Sequence, residues 1–486
     1  MSAAGARLNW ALALITAGCL IAIFPDANVT WLAPLALAPL LIALSRETRP
    51  LWRFFLGWSA GIAFWFGVCT WIQFVLEVHG GMGRWGGWGS FLLFCLLKGL
   101  HMAVFALAAG PLLSRWWAAP AVAALWTGIE RTHGTFGFAW LTLGNAGIDM
   151  ALPMRLAPYL GVYGLSFVFA LTACVAAALA TKRFRQLGWL ALLAVVPLFP
   201  ALPAPSNGTQ YADVVQPNLP EDPNWSWGQL QSTEQLLTDL SLTQAQGARL
   251  IVWPEAPAPL YFYSDPVFRE LAMGIARKAH TYFLFGTVAQ TAKGAPLNSA
   301  VLLSPDGEVV DRYDKIFLVP FGEFVPPLFS FVNRISPEAG DFVSGHRVVI
   351  FPFGGRHLGV FICYESAFPH LVRRFVAHGA DVLVNISNDG YFGHSAAREQ
   401  HLSLVRMRAA ENRRWIVRAT NDGITAVVDP GGRISLELPP YRAISSKLLF
   451  SYVDGQTPYT RYGDWFAWGC LIAAGGLSLL AQWKRH

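Results

Sequence analysis

Charge is scarce in this chain: of 486 residues only 14% are Asp, Glu, Lys or Arg, against 54% hydrophobic. Soluble domains carry about a quarter charged residues, so a wholly soluble enzyme is excluded. Cysteine is scarce as well. Of six, only Cys363 falls in the long polar stretch after residue 203, and Cys19, Cys69, Cys95, Cys174 and Cys470 lie in runs apolar enough for a bilayer. A thiol there is an ordinary small apolar side chain, and a disulfide within the soluble stretch has no second partner. Metal ligands are sparse too, since His394 and His401 stand seven apart on an expected helix and neither neighbours a cysteine. No cofactor is expected, and the chain has no internal repeat and no low-complexity tract.

Long apolar runs are plentiful. Segments able to cross a hydrocarbon core of about 30 Å are read at 8–24, 31–44, 51–77, 88–113, 116–130, 156–180, 186–202 and 463–483. The first resembles a signal peptide, but its apolarity runs past any small-residue cleavage site into further spans. With a cytoplasmic N-terminus the inner side collects Arg7, Arg46, Arg49, Arg53, Arg115, Lys182, Arg183, Arg185, Lys484 and Arg485, while Arg84, Arg131 and Arg155 lie outside. Positive-inside is satisfied. The net charge of +6 is therefore mainly a topology signal, and nucleic acid is not expected as a partner. Seven spans deliver the soluble stretch to the outer face, which in a bacterium is the periplasm.

The predicted organisation is a membrane domain over 1–202, a linker over 203–210, a soluble domain over 211–455 and a last span over 463–483. The boundary is the cluster from Pro200 to Gly208, rich in proline and small polar residues. Beyond it, strand-like runs at 211–215, 250–252, 282–288, 299–303, 309–311, 348–351, 357–362 and 381–386 alternate with helical patterns at 227–246, 265–280, 369–378 and 395–413. Such alternation predicts a layered α/β domain.

Three residues stand where chemistry needs them. Glu255 follows the strand Leu250–Val252 and is flanked by prolines. Lys315 lies in Tyr313-Asp314-Lys315-Ile316-Phe317. Cys363 ends the run Val360-Phe361-Ile362 and opens a helix, which predicts an exposed sulfur at a tight turn with helix N–H groups nearby. A free thiol with a pKa of about 8.5 is mostly protonated at neutral pH, so attack on an ester needs a base beside the sulfur and a cation where oxygen becomes negative. Glu, Cys and Lys supply both without a metal.

Together these residues resemble the Glu-Lys-Cys triad of the nitrilase superfamily. The whole chain resembles the apolipoprotein N-acyltransferase family of Gram-negative bacteria. The resemblance rests on Val215-Gln216-Pro217-Asn218, Trp253-Pro254-Glu255, the run from Leu318 to Pro326, Ile362-Cys363-Tyr364-Glu365, the run from Asn385 to Gly393, and Phe138-Ala139-Trp140-Leu141 with Leu143-Gly144. It implies a helical membrane bundle of about eight spans carrying a periplasmic nitrilase-like αββα sandwich in the inner membrane. It implies a transfer of an acyl chain from a phospholipid to the α-amino group of a lipoprotein's diacylglyceryl-cysteine, by a ping-pong route through a Cys363 thioester. Glu255 is then the general base, Lys315 the oxyanion cation and the Tyr364 N–H a second oxyanion donor, with Glu323 and Glu365 in support and Trp225 as a substrate-binding tryptophan. The chain departs from the family pattern at Asp314, at Ile316-Phe317 and at Gly390-Tyr391, where details of the substrate pocket are set.

Two alternatives remain at this level: a membrane-tethered amide or nitrile hydrolase with the same triad, and a transporter or receptor whose outer domain only binds ligand. Phe321 to Val332 is unusually apolar for a loop. It reads either as a lid that dips into the outer leaflet, with Phe321, Phe324, Leu328 and Phe329 guiding acyl chains, or as a connection buried under the sheet. Lys98 inside the fourth span hints at a role or a partner, or snorkels to the interface. Glu130-Arg131 reads as an interfacial pair, and the protein is expected to act as a monomer.

Overall fold

The structure is a computed structural model that describes residues 3–135, 138–221, 224–320, 322–324 and 342–483. Phe321, Leu328 and Phe329, and with them most of the expected lid, lie outside the described residues. The chain divides into two compact units, one of Met1–Glu77, Gly83–Leu202 and Tyr462–His486, the other of Val78–Met82 and Pro203–Arg461.

Among the described residues of the first unit, four helices are long and apolar enough to cross a membrane: Ala3–Ala22, Pro50–Val68, Gly83–Leu112 and Val162–Ala180. The second and third pack closely because Gly61 meets the Gly99 backbone, where any side chain would collide. Other expected spans are shorter or broken. The run at 31–44 becomes a 3-10 segment Thr30–Leu35 and a helix Ala38–Arg46, with Pro34 and Pro39 punctuating them. The run at 186–202 becomes a 3-10 segment Phe184–Leu198. Lys98 does not snorkel: it is buried, donates to the Phe138 carbonyl at 2.9 Å and lies 5.0 Å from the Trp65 ring. Glu130 and Arg131 do not form the expected pair. Glu130 accepts from the Leu143 N–H at 2.7 Å, and Arg131 pairs with Asp464, because residues adjacent on a helix point in different directions.

The second unit holds twelve strands among the described residues: β1 (Gln210–Gln216), β2 (Leu250–Val252), β3 (Tyr282–Gln290), β4 (Pro296–Leu303), β5 (Val309–Asp314), β6 (Ile350–Phe353), β7 (Arg356–Ile362), β8 (Val382–Ser387), β9 (Ile416–Thr420), β10 (Ala426–Val428), β11 (Ile434–Glu437) and β12 (Ile444–Phe450). They form two six-stranded sheets, ordered β12-β1-β2-β3-β4-β5 and β11-β10-β9-β8-β7-β6. Helices Trp227–Thr243 and Pro266–Ala279 cover the first sheet, and Pro369–Ala377 and Ala397–Asn412 the second. The result is an αββα sandwich. Ser226 caps the first of these helices through a capping box with Gln229, and Asp265 caps the next through the Val267 N–H at 2.8 Å, followed by Pro266 at the first helical position.

Most strands fall within two residues of their expected positions. β5 runs three residues further than expected, to Asp314, which carries Lys315 to the strand's end. The four strands from β9 onward were not expected. β9 carries Arg418 and Thr420, both fully buried, and β11 is exposed throughout, so neither shows an apolar alternation.

Candidate active site

Parallel pairing aligns the carboxyl ends of the strands that matter. β2 lies parallel to β3, and β7 parallel to β8, so Glu255 follows β2 as Cys363 follows β7 and Asn388 follows β8. Crevices at such strand ends are where open α/β sheets place their ligands. Gly286 on β3 allows this closure, since a side chain there would run into the backbone of Pro254, Glu255 and Ala256.

Glu255 and Lys315 meet inside the protein. Lys315 is 1% exposed, and its Nζ donates to Glu255 Oε1 at 3.0 Å and to Glu323 Oε1 at 2.9 Å. Asn298 on β4 joins them, its Nδ2 donating to Glu255 Oε1 at 2.7 Å and to Glu323 Oε1 at 2.5 Å. The Asn388 N–H donates to Glu255 Oε2 at 3.0 Å, and the Val319 N–H to Glu323 Oε2 at 2.8 Å. Burial alone would strip the Lys315 proton, but Glu255 and Glu323, with Cys363 beyond them, hold the ammonium well above the ordinary lysine range.

Cys363 is 6% exposed, so the expectation of an exposed sulfur is corrected: the turn is tight, but the residue is buried. No long helix opens at Cys363 either. A five-residue 3-10 turn, Cys363–Ala367, precedes the helix proper at Pro369–Ala377. Cys363 has φ 48°, a left-handed conformation that costs a residue with a Cβ about 1–2 kcal/mol. Strain of this kind clusters at active sites. Burial, then the Glu255 charge, pushes the thiol well above its ordinary range, while Lys315 and a hydrogen bond with Ser387 pull the other way. Burial of this kind favours the neutral thiol over the thiolate.

Glu365 ties the cysteine turn to the lysine segment. Its Oε2 accepts from the Ile362 N–H at 2.7 Å, and its Oε1 from the Tyr313 hydroxyl and the Ile316 N–H, each at 2.7 Å. Burial pushes this carboxyl up to about 7, against the pull of the Ile362 N–H and the Tyr313 hydroxyl. Tyr364 is buried with its ring 5.0 Å from Phe368, and Phe317 stacks on Phe368 at 4.0 Å. Phe317, one of the departures from the family pattern, is thus packing behind the turn. Asp314, another, accepts from the Ser299 hydroxyl at 2.6 Å and pairs with Arg312 at 2.9 Å. Gly390 leaves room for the Glu221 side chain, and Tyr391 is exposed with its ring 4.5 Å from that of His79.

Trp225 stands directly before the Ser226 cap, half-buried against the apolar core between the first sheet and its helices. Phe324 is half-buried and bridges to Pro320. Sequence reasoning missed Asn298 and a buried network behind Cys363 formed by Asp389, His401 and Arg418. The only signal in the sequence is a polar residue among apolar ones: Asn298 and Arg418 lie within strands β4 and β9, Asp389 in the short turn after β8, and His401 in the helix Ala397–Asn412.

This arrangement can take a proton from a thiol, hold a cation beside the attacked carbonyl and exclude water while doing so. Residues 213–445 match the family model described as carbon-nitrogen hydrolase, and residues 16–175 that of the apolipoprotein N-acyltransferase N-terminal domain. The apolipoprotein N-acyltransferase of Geobacter metallireducens is 34% identical, over 98% of this chain and 95% of that protein. That of Ralstonia nicotianae is 33% identical, over 94% and 89%. An amidase of known structure from Nesterenkonia sp. is 22% identical over 51% of this chain and 92% of its own, with a TM-score of 0.39.

Proposed function

Because this chain belongs to the family of apolipoprotein N-acyltransferases, we propose that it moves an acyl chain from a phospholipid to the α-amino group of a lipoprotein's N-terminal diacylglyceryl-cysteine, through a thioester on Cys363. The observation that carries the roles is the contact of Glu255 with Lys315 at 3.0 Å, in the crevice where the strained Cys363 turn ends β7. Glu255 takes the thiol proton as the sulfur attacks the ester carbon. The carbonyl electrons move onto oxygen, held by Lys315 Nζ and the Tyr364 N–H. Collapse expels the lysophospholipid alkoxide, which takes the proton back from Glu255. The acceptor amine then attacks the thioester, Glu255 takes its proton, and the departing sulfur is reprotonated. Glu323 and Asn298 hold Lys315 and Glu255 at their spacing, and Glu365 holds the turn against the lysine segment.

Eight spans, with the soluble domain on the periplasmic side of the inner membrane and Trp225, Phe321, Phe324, Leu328 and Phe329 along an acyl route, complete the reading. Both substrates are lipid-anchored, so a membrane unit fused to the catalytic domain concentrates them in one plane. An amide hydrolase with the same triad would account for the match over 213–445 but not for the one over 16–175. The test is acyl-adduct mass on the protein after incubation with phospholipid alone. An adduct on Cys363 that Cys363→Ala and Cys363→Ser abolish is expected, and one that persists in the alanine variant sinks the assignment.

A further inference from the structure

We propose that His401 is a positioning residue for this reaction: by holding the Cys363 carbonyl it sets the direction of the Tyr364 N–H, and with it the oxyanion site. The proposal rests on the reading of Cys363 as the nucleophile. His401 lies in the helix Ala397–Asn412 and is fully buried. Its Nε2 is 3.0 Å from the Cys363 carbonyl oxygen. A carbonyl can only accept, so Nε2 carries a proton and donates it.

The other edge of the ring is fixed as firmly. Nδ1 lies 3.0 Å from Asp389 Oδ1, and Asp389 is itself fully buried. Arg418 Nη2 donates to Asp389 Oδ2 at 2.7 Å, and the Ser387 hydroxyl to Oδ1 at 2.8 Å. Arg418 also reaches Asn385, whose Nδ2 donates to the Phe361 carbonyl at 3.1 Å. The network thus starts on β7, two residues before the cysteine, and closes on the cysteine's own carbonyl. Burying a guanidinium, a carboxylate and an imidazole together is costly, and apolar side chains of similar volume would serve packing at least as well. What apolar side chains could not do is hold a carbonyl.

Holding that carbonyl has a direct consequence. The peptide between Cys363 and Tyr364 is trans, so its C=O and N–H point in opposite directions in one plane. Fixing the oxygen toward His401 therefore aims the Tyr364 N–H away from His401. The same bond opposes relaxation of Cys363 from φ 48° toward the right-handed region that a residue with a Cβ prefers.

The test separates oxyanion alignment from the state of the sulfur. Full-length protein in detergent is mixed with phosphatidylethanolamine vesicles to measure single-turnover acylation, and with iodoacetamide to measure alkylation of Cys363, a displacement that forms no oxyanion. His401→Leu is expected to slow acylation about 10²-fold while alkylation stays within about threefold of the unsubstituted protein. His401→Gln, whose amide N–H can reach the same carbonyl, is expected to regain at least about tenfold of the loss. Acylation near the unsubstituted rate in His401→Leu, alkylation falling in step with acylation, or no rescue by Gln would each overturn the proposal. If His401→Leu does not fold, Asp389→Asn decides: acylation falling about tenfold with alkylation unchanged supports it, and equal losses overturn it. Absence of an adduct on Cys363 in the unsubstituted protein is a separate result, which removes the nucleophile and the proposal with it.

Discussion

Glu365→Gln is expected to change how stability depends on pH more than it changes stability at any one pH. In the folded protein burial raises the Glu365 carboxyl from its ordinary 4.5 to about 7. A raised acid is protonated in the folded state where the unfolded chain has already lost its proton. The folded state therefore binds more protons in this window, and stability falls as pH rises from 4.5 to about 7. The contribution is fully present below 4.5 and is lost as pH passes through about 7, and the shift is worth about 3 kcal/mol. Glutamine has no such titration. Its Oε1 can still accept from Tyr313 and Ile316, but its amide N–H₂ then faces the Ile362 N–H, which sits 2.7 Å from the carboxylate oxygen it replaces. That donor-to-donor contact destabilises by about 1–3 kcal/mol at all pH. The variant should thus be the less stable protein at pH 4.5 and should close the gap, or overtake, by pH 8. Other groups that titrate in the window cancel, because they are common to both proteins. The assay is denaturant or thermal unfolding of the full chain in one detergent from pH 4.5 to 8. A difference between the two proteins that does not vary with pH would show that Glu365 ionises as an ordinary carboxylate and refute the reasoning.

Lys315→Met should slow acylation by about 10²–10³ through loss of an oxyanion donor. It should also destabilise by about 3–5 kcal/mol by leaving Glu255 and Glu323 without their shared cation, measured by single-turnover kinetics and unfolding. Asn298→Leu removes two bonds to carboxylates and should cost about 3 kcal/mol in stability with a clear loss of acylation, whereas unchanged kinetics would make Asn298 a bystander. Replacing Leu328 and Phe329 by Ser should raise the apparent KM for phospholipid in bilayers while sparing thermal stability and a short-chain soluble donor. A lower unfolding temperature, or equal loss toward both donors, would place the segment in the core.

The sequence made legible what depends on short-range pattern. The alternation of apolar strands and helices located eight strands and four helices, and proline-flanked Glu255 and strand-ending Cys363 pointed to the candidate site. What it could not display was convergence. Asn298 is one amide in a buried strand, and its bridging of two glutamates arises only because β4 pairs between β3 and β5. His401 was judged by its distance from His394, which is a metal-ligand criterion, when its partners Asp389, Arg418 and Cys363 come from three different elements.

Lys315 has three N–H bonds, and two of them are committed to Glu255 and Glu323. The ammonium is therefore a tripod with two feet fixed, and its third bond points along a single direction. In the proposed reaction the attacked carbon becomes a stereocentre, since it bears sulfur, the oxyanion, the lysophospholipid oxygen and the acyl chain. A donor that cannot swivel selects one of the two configurations at that carbon, so every phospholipid must present the same face of its ester to the sulfur. The leaving alkoxide then departs on one side in every turnover, and a phospholipid of inverted glycerol configuration would have to bend its backbone to comply.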